Sequence, residues 1–251
     1  MSGKLFIVPT PVGNLGDMSP RAIEVLRSVS LVLAEDTRTS AVIMKHFGIS
    51  TPMASHHKFN EHQSAGPILD RIEAGENIAL VSDAGTPGIS DPGFMLAREC
   101  RRRGVEIETL PGPTAFVPAL VNSGLPCDHF YFEGFLPQKK GRATRLAQLA
   151  QLDCTFIIYE SPLRVAKTLE QLAEACGGTR PASVSREISK IHDSTHRGSL
   201  DELKTFFAQN QARGEIVIVV GGKERPAPEE RVHRNKYRPD DNCDKFQPPK
   251  A

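Results

Sequence analysis

At 251 residues the chain is long enough for more than one domain, and its formal net charge of +1 supplies no overall attraction to nucleic acid or an acidic membrane. Its cysteines are odd in number and none lies in a CxxC pair, which disfavours a disulfide framework or a zinc site and fits a reducing compartment. The first apolar run stops at Pro9, and no stretch approaches the roughly 20 apolar residues of a membrane span. The expectation is a cytoplasmic protein with no membrane partner and no metal.

In chain order, strands and helices alternate. Leu5 to Val8 reads as a buried strand, and Ser19-Pro20 as an N-cap with proline in the first helical turn. Ala22, Val25, Leu26 and Val29 then form a helical stripe. Leu31 to Ala34 is a second strand followed by a polar turn, Glu35-Asp36-Thr37-Arg38. Residues 53–75 carry a weaker strand–helix signal, and Ile78 to Val81 a clear strand. A helix from Phe94 ends at Gly104, and Val105 to Leu110 is a strand broken by Pro111-Gly112-Pro113. Beyond it, Phe130 to Glu133, Thr155 to Tyr159, Ser183 to Glu187 and Glu215 to Val220 read as strands. Ser161-Pro162 opens a helix through Cys176, and Ser199 to Glu202 fits a capping box. The alternation predicts an α/β fold of two α/β domains, at 1–113 and 114–224, with parallel or mixed sheets. Residues 225–251 hold five prolines, seven Lys or Arg and almost no apolar periodicity, so they read as a disordered tail.

Loops after strand ends are where open α/β sheets bind ligands, and three of them here are rich in glycine and proline. They are Pro9 to Gly16, Ser82 to Gly93 and Pro111 to Ala115. One alone would be turn chemistry; three together point to a cleft. None is GxGxxG, GxxxxGK[ST] or GxSxG, which disfavours a dinucleotide fold of the usual kind, a P-loop and a hydrolase elbow.

The blocks LFIVPTPVGNLGDMSPRAIEVL, AEDTRTS, LVSDAGTPGISDPG, LPGPTAFVPALVNSGLP, FEGFLP, YESPLRV, SREISK and GEIVIVV, in this order, resemble the small-subunit rRNA methyltransferase branch of the tetrapyrrole methylase superfamily. The resemblance implies two α/β domains with S-adenosyl-L-methionine held in the cleft between them. It places donor binding at Pro11, Asp83, Ala84, Gly85, Thr86, Ile89, Thr114 and Ala115, and at Tyr159, Ser161 and Pro162 of the second half. It implies 2′-O-ribose methylation of a cytidine in small-subunit (16S) rRNA near the decoding site, and a homodimer. The chain departs from the family pattern at Phe59, where a second histidine is expected, at Val220-Gly221-Gly222, and in the tail, where longer members carry a helical RNA-contacting domain.

Methyl transfer from a sulfonium needs no metal, and alignment supplies most of the acceleration. A ribose hydroxyl is a weak nucleophile, so a nearby base helps. Glu35, Asp36, Glu160 and Glu187 lie at predicted strand ends; Asp36 and Glu160 rank first as catalytic groups, against ion pairing with Arg38, Arg164 or Arg186. Expected RNA contacts are Arg38, Lys139, Lys140, Arg142, Arg164, Arg186 and Lys190. Arg101 to Arg103 read as complementing a helix dipole. His56, His57 and His62 read as solvated or substrate-facing rather than metal ligands. Two alternatives remain open: a small-molecule tetrapyrrole methylase, and a donor-binding protein without turnover because the RNA-contacting domain is missing.

Overall fold

The computed structural model describes residues 2–57 and 61–223, with the side chains of residues 62 and 63 outside that description. The expected tail at 225–251 and the reading of His62 therefore lie outside the described residues.

The first half runs β1 (Lys4–Ile7), α1 (Pro20–Ser28), β2 (Leu31–Ala34), α2 (Thr37–His46), β3 (Met53–Ser55), α3 (Glu61–Glu73), β4 (Ile78–Val81), α4 (Phe94–Arg103) and β5 (Glu106–Thr109). Its strands form a five-stranded sheet in the order β3-β2-β4-β1-β5, parallel throughout. Alternate side chains divide between two cores. Leu5, Ile7, Leu33, Ile78 and Leu80 pack under α3 and α4, while Val8, Val32, Ala34, Ala79 and Val81 pack under α1 and α2. Burial on both faces explains why β2 and β4 read as unbroken apolar runs. The connection from β1 leaves on the α1 face and that from β4 on the α4 face, although β1 and β4 are neighbours. This makes the C-terminal ends of β1 and β4 a topological switch point, where such sheets bind ligands.

The chain then continues through α5 (Phe116–Ser123), β6 (Phe130–Phe135), α6 (Arg142–Ala150), β7 (Thr155–Glu160), α7 (Val165–Cys176), β8 (Pro181–Arg186), β9 (Ser194–Ser199), α8 (Leu200–Gln209) and β10 (Ile216–Val220). The second sheet, in the order β6-β7-β10-β8-β9, is mixed: only β6 and β7 pair in parallel. Helices α6, α7 and α8 cover one face around the fully buried Phe156, Ile158 and Leu169. Burying each such side chain contributes about 1.5–3 kcal/mol. Helix α5 packs on the other face against Ile157, Val217 and Val219. The fold is thus mixed α/β, as the alternation predicts.

Some elements escape the sequence pattern. The polar turn expected at Glu35 to Arg38 is the start of α2, where the Asp36 carboxylate accepts the Arg38 amide at 2.8 Å as an N-cap. Strand β9 (STHRGS) lies at a sheet edge and lacks apolar alternation. His56 is a correction: it is fully buried, its Nδ1 lies 2.9 Å from the Ser64 hydroxyl, and burial lowers its pKa.

Candidate active site

The three glycine- and proline-rich loops meet at the switch point. Thr10, just past β1, and Gly85, past β4, exchange two backbone hydrogen bonds of 2.9 Å each. The Thr86 hydroxyl donates to the Pro113 carbonyl at 3.0 Å, which brings in the third loop. The loop after β4 is held at its far end by Glu61 of α3, a buried side chain. One Glu61 carboxylate oxygen accepts the amides of Gly93, Met95 and Leu96 at 3.1, 2.9 and 3.3 Å. It caps α4, whose own N-cap residue, Gly93, has no side chain to offer. Gly93 is required here: its φ is +131°, and a Cβ would stand 2.8 Å from Leu80.

The second half closes over these loops. A register shift in β6 between Phe132 and Gly134 lets Gly134, at φ +70°, approach the loop after β4. A Cβ at Gly134 would lie 2.8 Å from the Ser90 hydroxyl oxygen. On the opposite side, the Ser189 hydroxyl donates to the Asp17 carboxylate. Between the halves lies a cleft of about 450 Å³. Asp83, Ala84, Gly85, Thr86 and Ile89 line it from the loop after β4, and Thr114 and Ala115 from the third loop. Tyr159, Ser161 and Pro162 face them from the end of β7. Of the residues expected at the donor site, only Pro11 does not line the cleft; its neighbour Val12 does.

Sequence reasoning passed over several lining residues: Ser90, Asp91, Phe135, Gly214, Glu215, Ile216 and Val217. Asp91 stands within the SDPG stretch, and Glu215 begins the EIVIVV run, so the signal was a loop position rather than a residue type. Glu35, Asp83, Asp91 and Glu215 make the cleft acidic. Burial, together with Glu35 and Asp83, pushes Asp91 up to about 7, and burial also raises Asp83. Burial takes the Tyr159 hydroxyl to about 12, while the backbone amide of Phe116 donates to it. Phe135 is 55% exposed and meets Tyr159 edge-on, with ring centroids 5.6 Å apart.

The carboxylates ranked first from the sequence are both engaged elsewhere. Asp36 does not line the cleft; its bonds to the Arg38 side chain and amide hold its pKa at about 2, poor for a base. Glu160 lines the cleft but is buried, and its oxygens are occupied. One accepts the Ser161 amide at 2.7 Å and Arg164 Nε at 2.8 Å; the other accepts the Thr168 hydroxyl at 2.7 Å and lies 3.5 Å from Arg142 Nη2. Of the other two carboxylates, Glu35 lines the cleft, whereas Glu187 accepts the Glu215 amide at 2.9 Å and Lys190 Nζ at 2.9 Å.

The expected RNA-contacting cations fall into separate places. Lys139, Arg142 and Arg164 line a separate open groove of about 530 Å³ with Lys167 and Thr168, the residue whose hydroxyl donates to Glu160. Arg142 is a correction: it is buried, donating to Gln171, Thr168 and the Pro137 carbonyl, so its charge is spent inside the fold. Lys140 is exposed beside Lys139. Arg38 is paired with Asp36, Arg186 donates to the His192 carbonyl at 3.2 Å, and Lys190 bridges Glu187 and Glu215. Among the described residues no cluster suits a metal ion, and no helix is long and apolar enough to cross a membrane.

This architecture has relatives. Solved structures of the same fold include a uroporphyrin-III C-methyltransferase from Thermus thermophilus complexed with S-adenosyl homocysteine. It is 17% identical with TM-score 0.62, over 87% of this chain and 97% of that one. A cobalamin-biosynthetic cobalt precorrin-4 methyltransferase is 19% identical with TM-score 0.64, over 87% and 94%. Closer in sequence is a ribosomal RNA small subunit methyltransferase I from Pseudomonas aeruginosa, 46% identical over 92% of this chain and 83% of that protein. A protein of the same name from Thermotoga maritima is 41% identical over 88% of this chain and all of its own length. The profile of the Tetrapyrrole (Corrin/Porphyrin) Methylases matches residues 4–204, and the chain belongs to that family.

Proposed function

We propose that the chain is an S-adenosyl-L-methionine-dependent methyltransferase that methylates the ribose 2′-hydroxyl of a cytidine in small-subunit (16S) rRNA in the cytoplasm. The observation that carries this reading is the acidic cleft at the switch point, lined from both halves. The reading divides the chain into two domains at 113/114, because the first sheet ends at Thr109 and α5 already packs on the second.

The residues present suit the donor. It carries a sulfonium and an ammonium, and Glu35, Asp83, Asp91 and Glu215 supply negative charge, while the loop after β4 offers backbone groups. When bound, the donor supplies an electrophilic methyl group. The chain's part is to bind and orient: the loops fix one side of the donor, and Tyr159, Ser161 and Pro162 the other. The exposed face of Phe135 at the cleft mouth offers a nucleobase a stacking platform, a means of presenting an unstacked nucleotide. Lys139, Lys140 and Arg164 beside the groove supply cations for neighbouring phosphates.

The Thermotoga relative bears on the alternative in which a missing RNA-contacting domain removes turnover. It bears the methyltransferase name, yet aligns over its whole length to this chain. The two methyltransferases of known structure named above share 17% and 19% of their residues with this chain, so their likeness speaks for the fold alone. Two copies pairing into a homodimer belongs to the same reading, and a sedimentation mass of one chain would contradict it. The reading itself is tested with labelled donor and three acceptors: small subunits lacking the modification, naked rRNA, and uroporphyrinogen. Label in RNA supports it; label in the tetrapyrrole alone overturns it.

A further inference from the structure

The Ser82–Gly93 loop does more than line the donor cleft. It also holds a carboxylate, Asp91, in the cleft wall. The loop is anchored before Asp91 by the Thr10–Gly85 pairing and after it by Glu61, which caps α4. Between these anchors a backbone hydrogen bond from Gly88 to the Pro92 carbonyl, 3.0 Å, closes a tight turn. Within that turn Ser90 takes φ +65°, a conformation L-residues seldom adopt. Backbone held in this way is a feature of sites where one side chain must be aimed. Across the cleft, Gly134 approaches Ser90, so the turn is pressed against β6 of the other half.

Asp91 therefore faces charged groups from both walls. Glu35 and Asp83 act on it from the first half and Glu215 from the second, and Tyr159 feels its charge. Among the described residues no Arg or Lys forms an ion pair with it, whereas Arg38 pairs with Asp36 and Arg142 and Arg164 with Glu160. A carboxylate with a guanidinium on each oxygen is a structural anchor. One that lines a reaction cleft without a cation partner keeps a lone pair for a proton.

We propose that Asp91 is the proton acceptor of the transfer, taking the hydrogen of the ribose 2′-hydroxyl. This rests on the reading of the cleft as a methyl-transfer site. As the new O–CH3 bond forms, the S–CH3 bond breaks and its electron pair returns to sulfur, leaving a neutral thioether. The 2′-hydroxyl proton moves to an Asp91 carboxylate oxygen and is later lost to solvent. Atoms and charge balance with no further reactant.

The assignment predicts a titration of known sign. With Asp91 near 7 in the free protein, its acceptor form is the minor one at pH 6 and the major one at pH 8. The kcat/KM for methyl transfer then rises about tenfold per pH unit below 7 and levels off above it. A cationic donor lying beside Asp91 favours the carboxylate, so the inflection in kcat falls below that in kcat/KM.

The experiment uses the full chain and its Asp91→Asn, Asp91→Glu and Asp83→Asn variants, with small ribosomal subunits lacking the modification. Titration calorimetry in buffers of different ionisation enthalpy measures proton release on binding S-adenosylmethionine and the neutral product S-adenosylhomocysteine. The expected result is proton release near pH 7 that is larger for the cationic donor and absent in Asp91→Asn. That variant keeps a single cooperative melting transition, which shows it is folded, and loses at least about a hundredfold in kcat with its pH inflection gone. Asp91→Glu restores part of the rate and the inflection. Asp91→Asn turning over within threefold of the parent with the same pH profile overturns the proposal, as does proton release that vanishes only in Asp83→Asn. If parent and variants alike leave the subunits unlabelled while binding product, the substrate reading has failed and takes the Asp91 role with it, an outcome distinct from an active parent with an indifferent variant.

Discussion

Replacing Glu160 by glutamine separates a structural role for this carboxylate from a catalytic one. Its oxygens receive Ser161 N, Arg164 Nε and Nη2, Thr168 Oγ1 and, at 3.5 Å, Arg142 Nη2. Its side chain is 1% exposed and that of Arg142 11%, so this is a buried ion pair. Removing one partner of such a pair costs about 3–5 kcal/mol because the other charge is left uncompensated. Glutamine retains one acceptor oxygen but turns an NH2 group toward donors, so about 2–4 kcal/mol is expected for Glu160→Gln. At roughly 2–4 °C per kcal/mol for a protein of this size, the melting midpoint should fall by about 10 °C, and the urea midpoint by about 1 M. Ser161 and Pro162 lose their anchor, so product affinity should weaken by up to about tenfold, a loss of about 1.4 kcal/mol. The kcat of the folded variant, measured well below its midpoint, should stay within about threefold of the parent. A melting midpoint within a degree of the parent together with a kcat reduced a hundredfold would return Glu160 to the catalytic role the sequence suggested.

Other outcomes follow from the same geometry. Gly134→Ala forces a side chain into a positive-φ position against Ser90 and should cost about 1–2 kcal/mol while weakening donor binding several-fold, read by calorimetry. Asp36→Asn keeps an N-capping residue; because Asp36 titrates at about 2, stability tied to its ionised form is present above the unfolded carboxylate range and lost only as pH falls toward 2. The variant should therefore match the parent in its activity profile above pH 5 and differ only in its acid melting limb. Asp91 has the opposite sign: its folded pKa is raised to about 7, so its contribution falls away as pH rises from the unfolded carboxylate range through 7. At pH 8 Asp91→Asn should be more stable than the parent by about 1–2 kcal/mol, after discounting for its partial exposure, by thermal melts at pH 5 and 8. Alanine at Lys139 and Lys140 together should lower RNA affinity and flatten its log–log salt dependence by about 0.7 for each phosphate no longer neutralised, with donor affinity unchanged.

The sequence exposes those parts of the fold that repeat a simple rule. Strands β2, β4 and β10 are short apolar runs because they are buried on both faces, and α1 and α8 announce themselves through Ser19 and Ser199. The helix α2 hides behind Thr37 and Thr39, weak helix formers that the Asp36 cap overrides. The cleft was legible because glycine and proline collect in the loops after β1, β4 and β5. What the residues do inside it was less so. Asp36 lies outside the cleft as a helix cap paired with Arg38, and Glu160 differs from Asp91 in the guanidinium groups within reach, which depends on partners from other elements. Arg142, Thr168 and Glu160 meet from three elements, and Glu61 caps a helix more than thirty residues away. Likewise a basic residue in a loop reads as a phosphate contact until, as at Arg142, its guanidinium is seen to be buried.

Where the methyl group goes decides whether this chain is an RNA ribose methyltransferase. Small ribosomal subunits lacking the modification are incubated with the full chain and labelled S-adenosylmethionine, and the rRNA is digested to nucleosides and read by mass spectrometry. The expected label lies in 2′-O-methylcytidine, with the adjoining linkage resistant to alkali because no 2′-hydroxyl remains to attack it. Label on a base, or none in RNA while S-adenosylhomocysteine binds the cleft, would contradict that assignment.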